Sequence, residues 1–185
     1  YIALLAKKED DKIKAAGYAA EWLALELSAL EIGSCWISLN NNEEKINEIL
    51  GIKEPYGIKA LLAVGHPEKP SFLSSIFQNK TTRTGAQSVE VKEEVQNDRL
   101  AIEDIVFEGE FGKKPNLEEL ERYGYLEAFS YLRFAPSSLN RQPWRFVVLN
   151  DGILLCVDMG EGYEDKDLAL IEAGIAMLYF KTAMA

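Results

Sequence analysis

Apolar and polar positions divide the chain into a small set of elements. Residues 2–6 form a short apolar run followed by the charged cluster 7–14, which predicts a buried strand and its exit loop. From 15 to 32, apolar residues recur at helical spacing on two faces. Tyr18, Trp22, Leu25 and Ala29 share one face, and Leu23, Leu27 and Leu30 share another. An apolar surface that wide predicts a central helix packed on most sides. Gly33 stands where a C-terminal cap belongs, and 34–39 reads as a turn into a short extended segment. Asn42 predicts the N-cap of a helix over 43–50, closed by Gly51 ahead of Pro55. A second buried strand is expected over 58–65.

The pattern then breaks. Residues 66–98 carry two X-Pro pairs, a Ser/Thr/Asn/Gln/Lys-rich stretch and an acidic run, and read as one long, weakly structured and partly mobile connection. Asn116 then caps an expected helix over 117–134, with Glu118 and Glu119 in its first turn. Pro136 and Pro143 bracket a segment that regular helix cannot cross. Apolar runs at 144–149 and 153–157 flank Asn150-Asp151-Gly152, a hairpin signal, and a last helix is expected from about Asp167 onward. The order strand, charged loop, Ala-Gly-containing helix occurs twice, at 2–19 and at 153–176. Such an echo arises from chance apolar similarity or from two pseudo-symmetric halves around shared central helices.

Composition narrows the function. The 185 residues are 48% apolar and 27% charged, enough for one globular domain. Twenty basic against thirty acidic side chains leave a net charge of −10, which repels nucleic-acid phosphates and anionic membranes. The longest apolar stretch, 168–180, is interrupted by Glu172 and falls short of a membrane span. Cys35, Cys156 and the single His66 exclude a disulfide framework and a His-rich metal cage, and a reducing cytoplasm is the expected compartment. The chain opens on Tyr1 rather than Met, which points to residues upstream. No nucleophile elbow, phosphate loop, zinc helix or dinucleotide fingerprint is present, so no catalytic side chain is assigned. His66 reads as a turn residue, Cys35 as a small packing residue, and the acidic pairs as helix starts or solvated faces.

One segment concentrates polar side chains inside apolar surroundings. Between Pro136 and Pro143 stand Ser137, Ser138, Asn140, Arg141 and Gln142, followed by Trp144. On composition alone this is a polar turn fixed by prolines; as a site it offers hydroxyls and amides to a polar heterocycle or a sugar-like chain. The run APSSLNRQPWRFVVL resembles the A-P-S-x-x-N-x-Q-P-W segment of FMN-dependent nitroreductases. The stretch from the long helix into Gly33-Ser34-Cys35-Trp36, then ILGIKEPYGIKALLAVGHPEKP, resembles their other half. Residues 97–106 are similar to the R-K-P-L-E-E-I-V ending of that family, with Arg99 at the basic position. Here the Pro-Ser half follows the Gly-x-x-Cys-Trp half, the order of the compact single-chain branch known as putative TM nitroreductases.

That resemblance implies an α+β layered fold: a mostly antiparallel sheet, central helices and pseudo-two-fold halves in one chain, 1–65 and 99–185 around the connection 66–98. It implies FMN, with Pro136, Ser137, Ser138 and Asn140 on the ribityl chain and ring edge. Gly33, Ser34, Cys35 and Trp36 would contact the ring, Arg141 a pyrimidine oxygen, and Arg99 the phosphate, with Lys80 and Arg83 as further local cations. An R-R-S-x-R segment for the phosphate would lie ahead of Tyr1. NAD(P)H would be the reductant and a nitroaromatic or quinone the acceptor, in a ping-pong cycle that takes its protons from solvent. The chain would act as a monomer containing an internal pseudo-dimer, or as a homodimer, with neither nucleic acid nor membrane as partner. Two rival readings are a catalytically silent flavin- or nucleotide-binding protein of this fold, and a structural or interaction module in which the polar corner is only a rigid turn.

Overall fold

The computed structural model of the chain describes residues 1–39, 41–66, 81–84, 87–90, 99–160 and 165–185. Strand β1 (Ile2–Lys7) lies at one edge of a three-stranded antiparallel sheet, β3 (Tyr56–Gly65) at its centre and β2 (Gly33–Ile37) at the other edge. In the register, Leu4 faces Ala60 and Trp36 faces Leu62. Ile58, Ala60 and Leu62 are all buried, the two-residue period of a strand that drives one face into the core. The second sheet has order β6 (Val106–Glu108), β7 (Trp144–Leu149), β8 (Gly152–Val157). The turn at Asp151 joins β7 and β8 antiparallel as expected, whereas β6 runs parallel to β7. Most of the expected connection 66–98 lies outside the described residues; within it, β4 (Thr81–Thr84) and β5 (Gln87–Glu90) pair as an antiparallel hairpin, which the sequence reading did not anticipate.

Helix α1 (Asp10–Ala29) begins earlier than expected. Asp10 and Asp11 occupy its first turn, where carboxylates favour the positive end of the helix, so the charged cluster becomes helix rather than exit loop. Gly33 is not its cap. Glu31 takes the left-handed conformation (φ 61°), Ile32 N–H donates to the Leu27 carbonyl at 2.9 Å, and Gly33 already belongs to β2. Helix α2 (Glu43–Leu50) ends at Gly51, left-handed at φ 64°, as the sequence predicts. Asn42 occupies the cap position, but its side-chain amide donates to the Leu39 carbonyl instead of capping. After the one-turn α3 (Ile102–Ile105), the single helix expected over 117–134 is two: α4 (Leu117–Arg122) and α5 (Tyr125–Leu132), separated by Gly124 at φ 75°. The Asn116 carboxamide oxygen accepts from Glu118 N–H at 3.0 Å and Glu119 N–H at 3.4 Å. Asn116→Ala is expected to cost about 1 kcal/mol; a denaturant midpoint equal to the parent's would show that the cap contributes nothing.

The central helix is α6 (Lys166–Ala183), buried from Ile171 through Ala176, not α1. In α1 the buried residues are Ile13, Glu21 and the small Gly17, Ala20 and Ala24, while Trp22 is 55% exposed and Leu25 42%. The reason lies in how α1 meets α6. A Cβ added at Gly17 would collide with the Ile171 carbonyl, and one added at Gly174 would collide with the Lys14 carbonyl. The two contacts are reciprocal, since Gly17 follows Lys14 by three residues just as Gly174 follows Ile171. The two Ala-Gly segments of the sequence echo are thus the places where the two helices touch. Backbones this close leave no room for large side chains at the crossing, and Trp22 and Leu25 lie on the outer face of α1. Around the seam, Phe129 of α5 packs its ring 5.2 Å from Phe146 of β7 and 5.0 Å from Phe180 of α6, centroid to centroid.

Candidate functional site

After α5 the chain turns through Phe134 and Ala135, whose N–H groups donate to the Tyr131 and Leu132 carbonyls, and Pro136 forces it out of helix. Ser138–Asn140 then closes a single tight 3-10 turn. Leu139, Asn140 and Gln142 all hold positive φ, at 51°, 56° and 51°. Left-handed conformations at non-glycine residues cost of order 1–3 kcal/mol each and persist only where the surroundings enforce them. Gln142 supplies much of that enforcement. It is 2% exposed, accepts from Leu100 N–H at 2.9 Å, and donates through its amide to the Asn140 carbonyl at 3.0 Å. Its backbone N–H reaches the Ser137 hydroxyl at 2.9 Å, and the Arg145 guanidinium holds its carbonyl at 2.8 Å. Arg99 donates to the Ala135 carbonyl at 2.7 Å and to the Phe134 carbonyl at 3.4 Å, binding the helix end to residues far ahead of it.

The corner faces a cleft of about 320 Å³ whose other wall comes from the first half of the chain. Trp36 and Ile37 of β2, Ala60 of β3 and Ile175 of α6 give it apolar sides, and Pro136, Ser137 and Ser138 form the opposing edge. Thus Trp36, Pro136, Ser137 and Ser138, proposed from opposite halves of the sequence, line one crevice. The other sequence candidates do not line it. Gly33, Ser34 and Cys35 lie exposed along the edge strand β2, with the Cys35 thiol 3.5 Å from the Trp36 carbonyl. Asn140 and Arg141 are exposed, and the Arg141 charge is felt at Glu172. Arg99 is spent on main-chain carbonyls, Lys80 lies outside the described residues, and only the backbone of Arg83 is described.

Four ionisable residues that the motif leaves out, Glu21, Tyr179, Lys59 and Glu172, are built into or around this site. Glu21 is 4% exposed in α1; its carboxylate accepts from the Trp36 indole N–H at 2.9 Å and from the Tyr179 hydroxyl at 3.1 Å, fixing the Trp36 ring. Burial, reinforced by the Glu21 carboxylate, pushes the Tyr179 phenol up to about 12, so it remains a donor. Lys59 lines the cleft with its ammonium buried against Asp167. Glu172, 2% exposed, accepts from Ser138 N–H at 2.6 Å through Oε1, while Oε2 is buried without a hydrogen-bond partner among the described residues. Burial raises its carboxyl to about 7, outweighing the opposing pulls of the Ser138 N–H and Arg141. The available signal was a lone carboxylate inside an apolar helical run, present at both Glu21 and Glu172; the sequence reading used Glu172 only to break a membrane span.

The donor set can be compared directly with what a flavin requires. Apolar walls around a hydroxyl edge suit a planar heterocycle bearing hydrogen-bonding atoms. A phosphate is not matched in the same way: among the described lining residues the cation is Lys59, committed to Asp167, and Glu43 and Asp165 add negative charge. The ring portion fits, and its phosphate would need cations from elsewhere.

A proline corner and a tryptophan strand, distant in sequence, meet across one crevice in a mixed α+β fold. The chain belongs to the family described as "Putative TM nitroreductase", which it matches over residues 1–106. That match includes the Trp36 wall and stops short of the Pro136 corner. Among solved structures, the chain is similar to a putative nitroreductase from Thermotoga maritima, with a TM-score of 0.58 and 19% identity, over 98% of this chain and 59% of that one. The chain therefore spans less than two thirds of that structure's length, and at this identity the likeness concerns the fold. No curated protein matches. Among the described residues, no helix is long and apolar enough to cross a membrane.

Proposed function

We propose that the chain is a flavin-dependent oxidoreductase that takes reducing equivalents from NAD(P)H and passes them to a nitroaromatic or quinone. The observation that carries the reading is the shared cleft: Trp36 from one half and Pro136, Ser137 and Ser138 from the other line the same apolar slot. FMN, when bound, supplies the two-electron chemistry. The chain's own residues orient and enclose. Trp36, held by Glu21, presents a flat apolar wall; Ile37, Ala60 and Ile175 keep water from the slot; Ser137 and Ser138 offer polar contacts along one edge. One chain supplies both corners, so the reading needs no second copy to complete the slot. A reducing cytoplasm suits its two free cysteines.

A second reading, a flavin binder that does not turn over, is favoured by one observation: Arg99 and Lys59 are both engaged within the protein rather than free for a phosphate. One experiment separates the possibilities. Purified protein is expected to carry or take up flavin, seen as an absorbance band near about 450 nm, and to bleach anaerobically on adding NAD(P)H. Colour without bleaching supports the silent binder. Absence of any uptake overturns both and leaves the corner as a rigid structural turn.

A further inference from the structure

We infer that Glu21 is a positioning residue of the cleft, holding the Trp36 indole as a fixed apolar wall against which a planar ligand packs. This rests on the flavin reading above and adds to it a residue outside the cleft that acts on the ligand through another side chain. Trp36 needs such a hold. It lies on the edge strand β2, where Gly33, Ser34 and Cys35 are exposed and Trp36 itself is half-buried. An indole carries one polar atom, an N–H that can only donate. In Trp36 it donates to the Glu21 carboxylate at 2.9 Å. The surface that Trp36 has left for the cleft is therefore apolar, with no donor to spare for a ligand.

Glu21 is itself held from two sides. It is 4% exposed on α1 and does not line the cleft. Its Oε2 serves Trp36 of β2, and its Oε1 accepts from the Tyr179 hydroxyl of α6 at 3.1 Å. The carboxylate cannot turn without losing one donor or the other. The Arg99 charge is felt at the Tyr179 phenol, and Arg99 holds the Ala135 carbonyl at 2.7 Å, next to Pro136. The support of the Trp36 wall thus runs close to the support of the proline corner. Burying a carboxylate is costly unless it is paired or hydrogen-bonded. An apolar side chain at position 21 would avoid that cost, but would leave the indole N–H without its acceptor and the ring free to turn.

The test is a double-mutant cycle on the intact protein, read by riboflavin fluorescence, with the indole N–H signals followed by NMR. Glu21→Met is expected to weaken riboflavin binding about fivefold, the effect of one hydrogen bond. Glu21→Gln keeps an acceptor for the indole and is expected to bind as the parent does. Added to Trp36→Phe, Glu21→Met should bring no further loss, because the side chain it acts through is gone. Losses that add in the double variant, or Glu21→Gln binding as weakly as Glu21→Met, would overturn the positioning role while leaving the flavin reading standing. The NMR arm needs neither ligand nor a folded Glu21→Met. In the parent, the Trp36 indole N–H (identified by its loss in Trp36→Phe) is expected to exchange with solvent about tenfold more slowly than that of Trp22, whose bond to Glu26 is exposed. Equal exchange rates would likewise overturn the role. If the parent takes up no riboflavin, the flavin reading fails and the role assigned to Glu21 fails with it.

Discussion

Gly174→Ala is expected to destabilise the chain by about 2 kcal/mol, even though alanine is the better helix former. Two effects oppose each other. Alanine gains roughly 0.8–1.0 kcal/mol of intrinsic helix propensity over glycine. Against that, the new methyl would occupy the space of the Lys14 carbonyl and crowd the Tyr18 amide, both main-chain atoms of α1 that no rotamer change can move. Overpacking of this kind costs 1–3 kcal/mol and sometimes more, so the steric term prevails and the helices must separate. For a chain of this size the loss corresponds to roughly 4–8 °C in melting temperature. Gly17→Ala, facing the Ile171 carbonyl, is expected to behave alike. The double variant should cost less than the sum, because the first substitution already opens the seam that the second needs. A melting temperature for Gly174→Ala at or above the parent's would remove the close crossing from the account.

Gln142→Ala is expected to cost about 3 kcal/mol by a different route. Its side chain satisfies Leu100 N–H and the Asn140 carbonyl together, and truncation strands both in partly buried positions. The three left-handed residues of the corner would then lose the bonds that hold them. The corner should relax, and Ser137 and Ser138 with it, so riboflavin affinity should fall alongside the urea midpoint. Unchanged stability would mean that the backbone alone maintains the turn. Lowered stability with unchanged riboflavin binding would mean that the corner's conformation does not matter to the cleft.

The legible parts of this fold are those written in local chemistry. Helix α2 could be placed residue for residue because Gly51 forces its stop, and the hairpin at Asp151 because Asp-Gly dictates its turn. What escaped depends on partners distant in sequence. Periodicity marked α1 as apolar on two faces, but only the glycine seam decides that its small residues turn inward and Trp22 outward. Glu31 adopts a left-handed conformation that composition would give to Gly33. Gly124 divides what the pattern joins. At the site, the proline corner was legible because Pro136 and Pro143 exclude regular helix whatever surrounds them. Glu172 was not, since a single carboxylate in an apolar run reads as an interruption until the crevice it faces is known. Nor does sequence say that the Arg99 guanidinium turns toward the Ala135 carbonyl.

The cleft is assembled from strands near the start of the chain and a helix near the other end of it. During translation, Trp36 and Ala60 leave the ribosome long before Glu172 and Ile175, and domains acquire structure as their segments emerge. A nascent polypeptide stalled ahead of α6 has one wall of the cleft and no seam. On the flavin reading proposed above, ligand capture would be a late event in biosynthesis, and a cell's supply of the small molecule would act on finished chains rather than on growing ones.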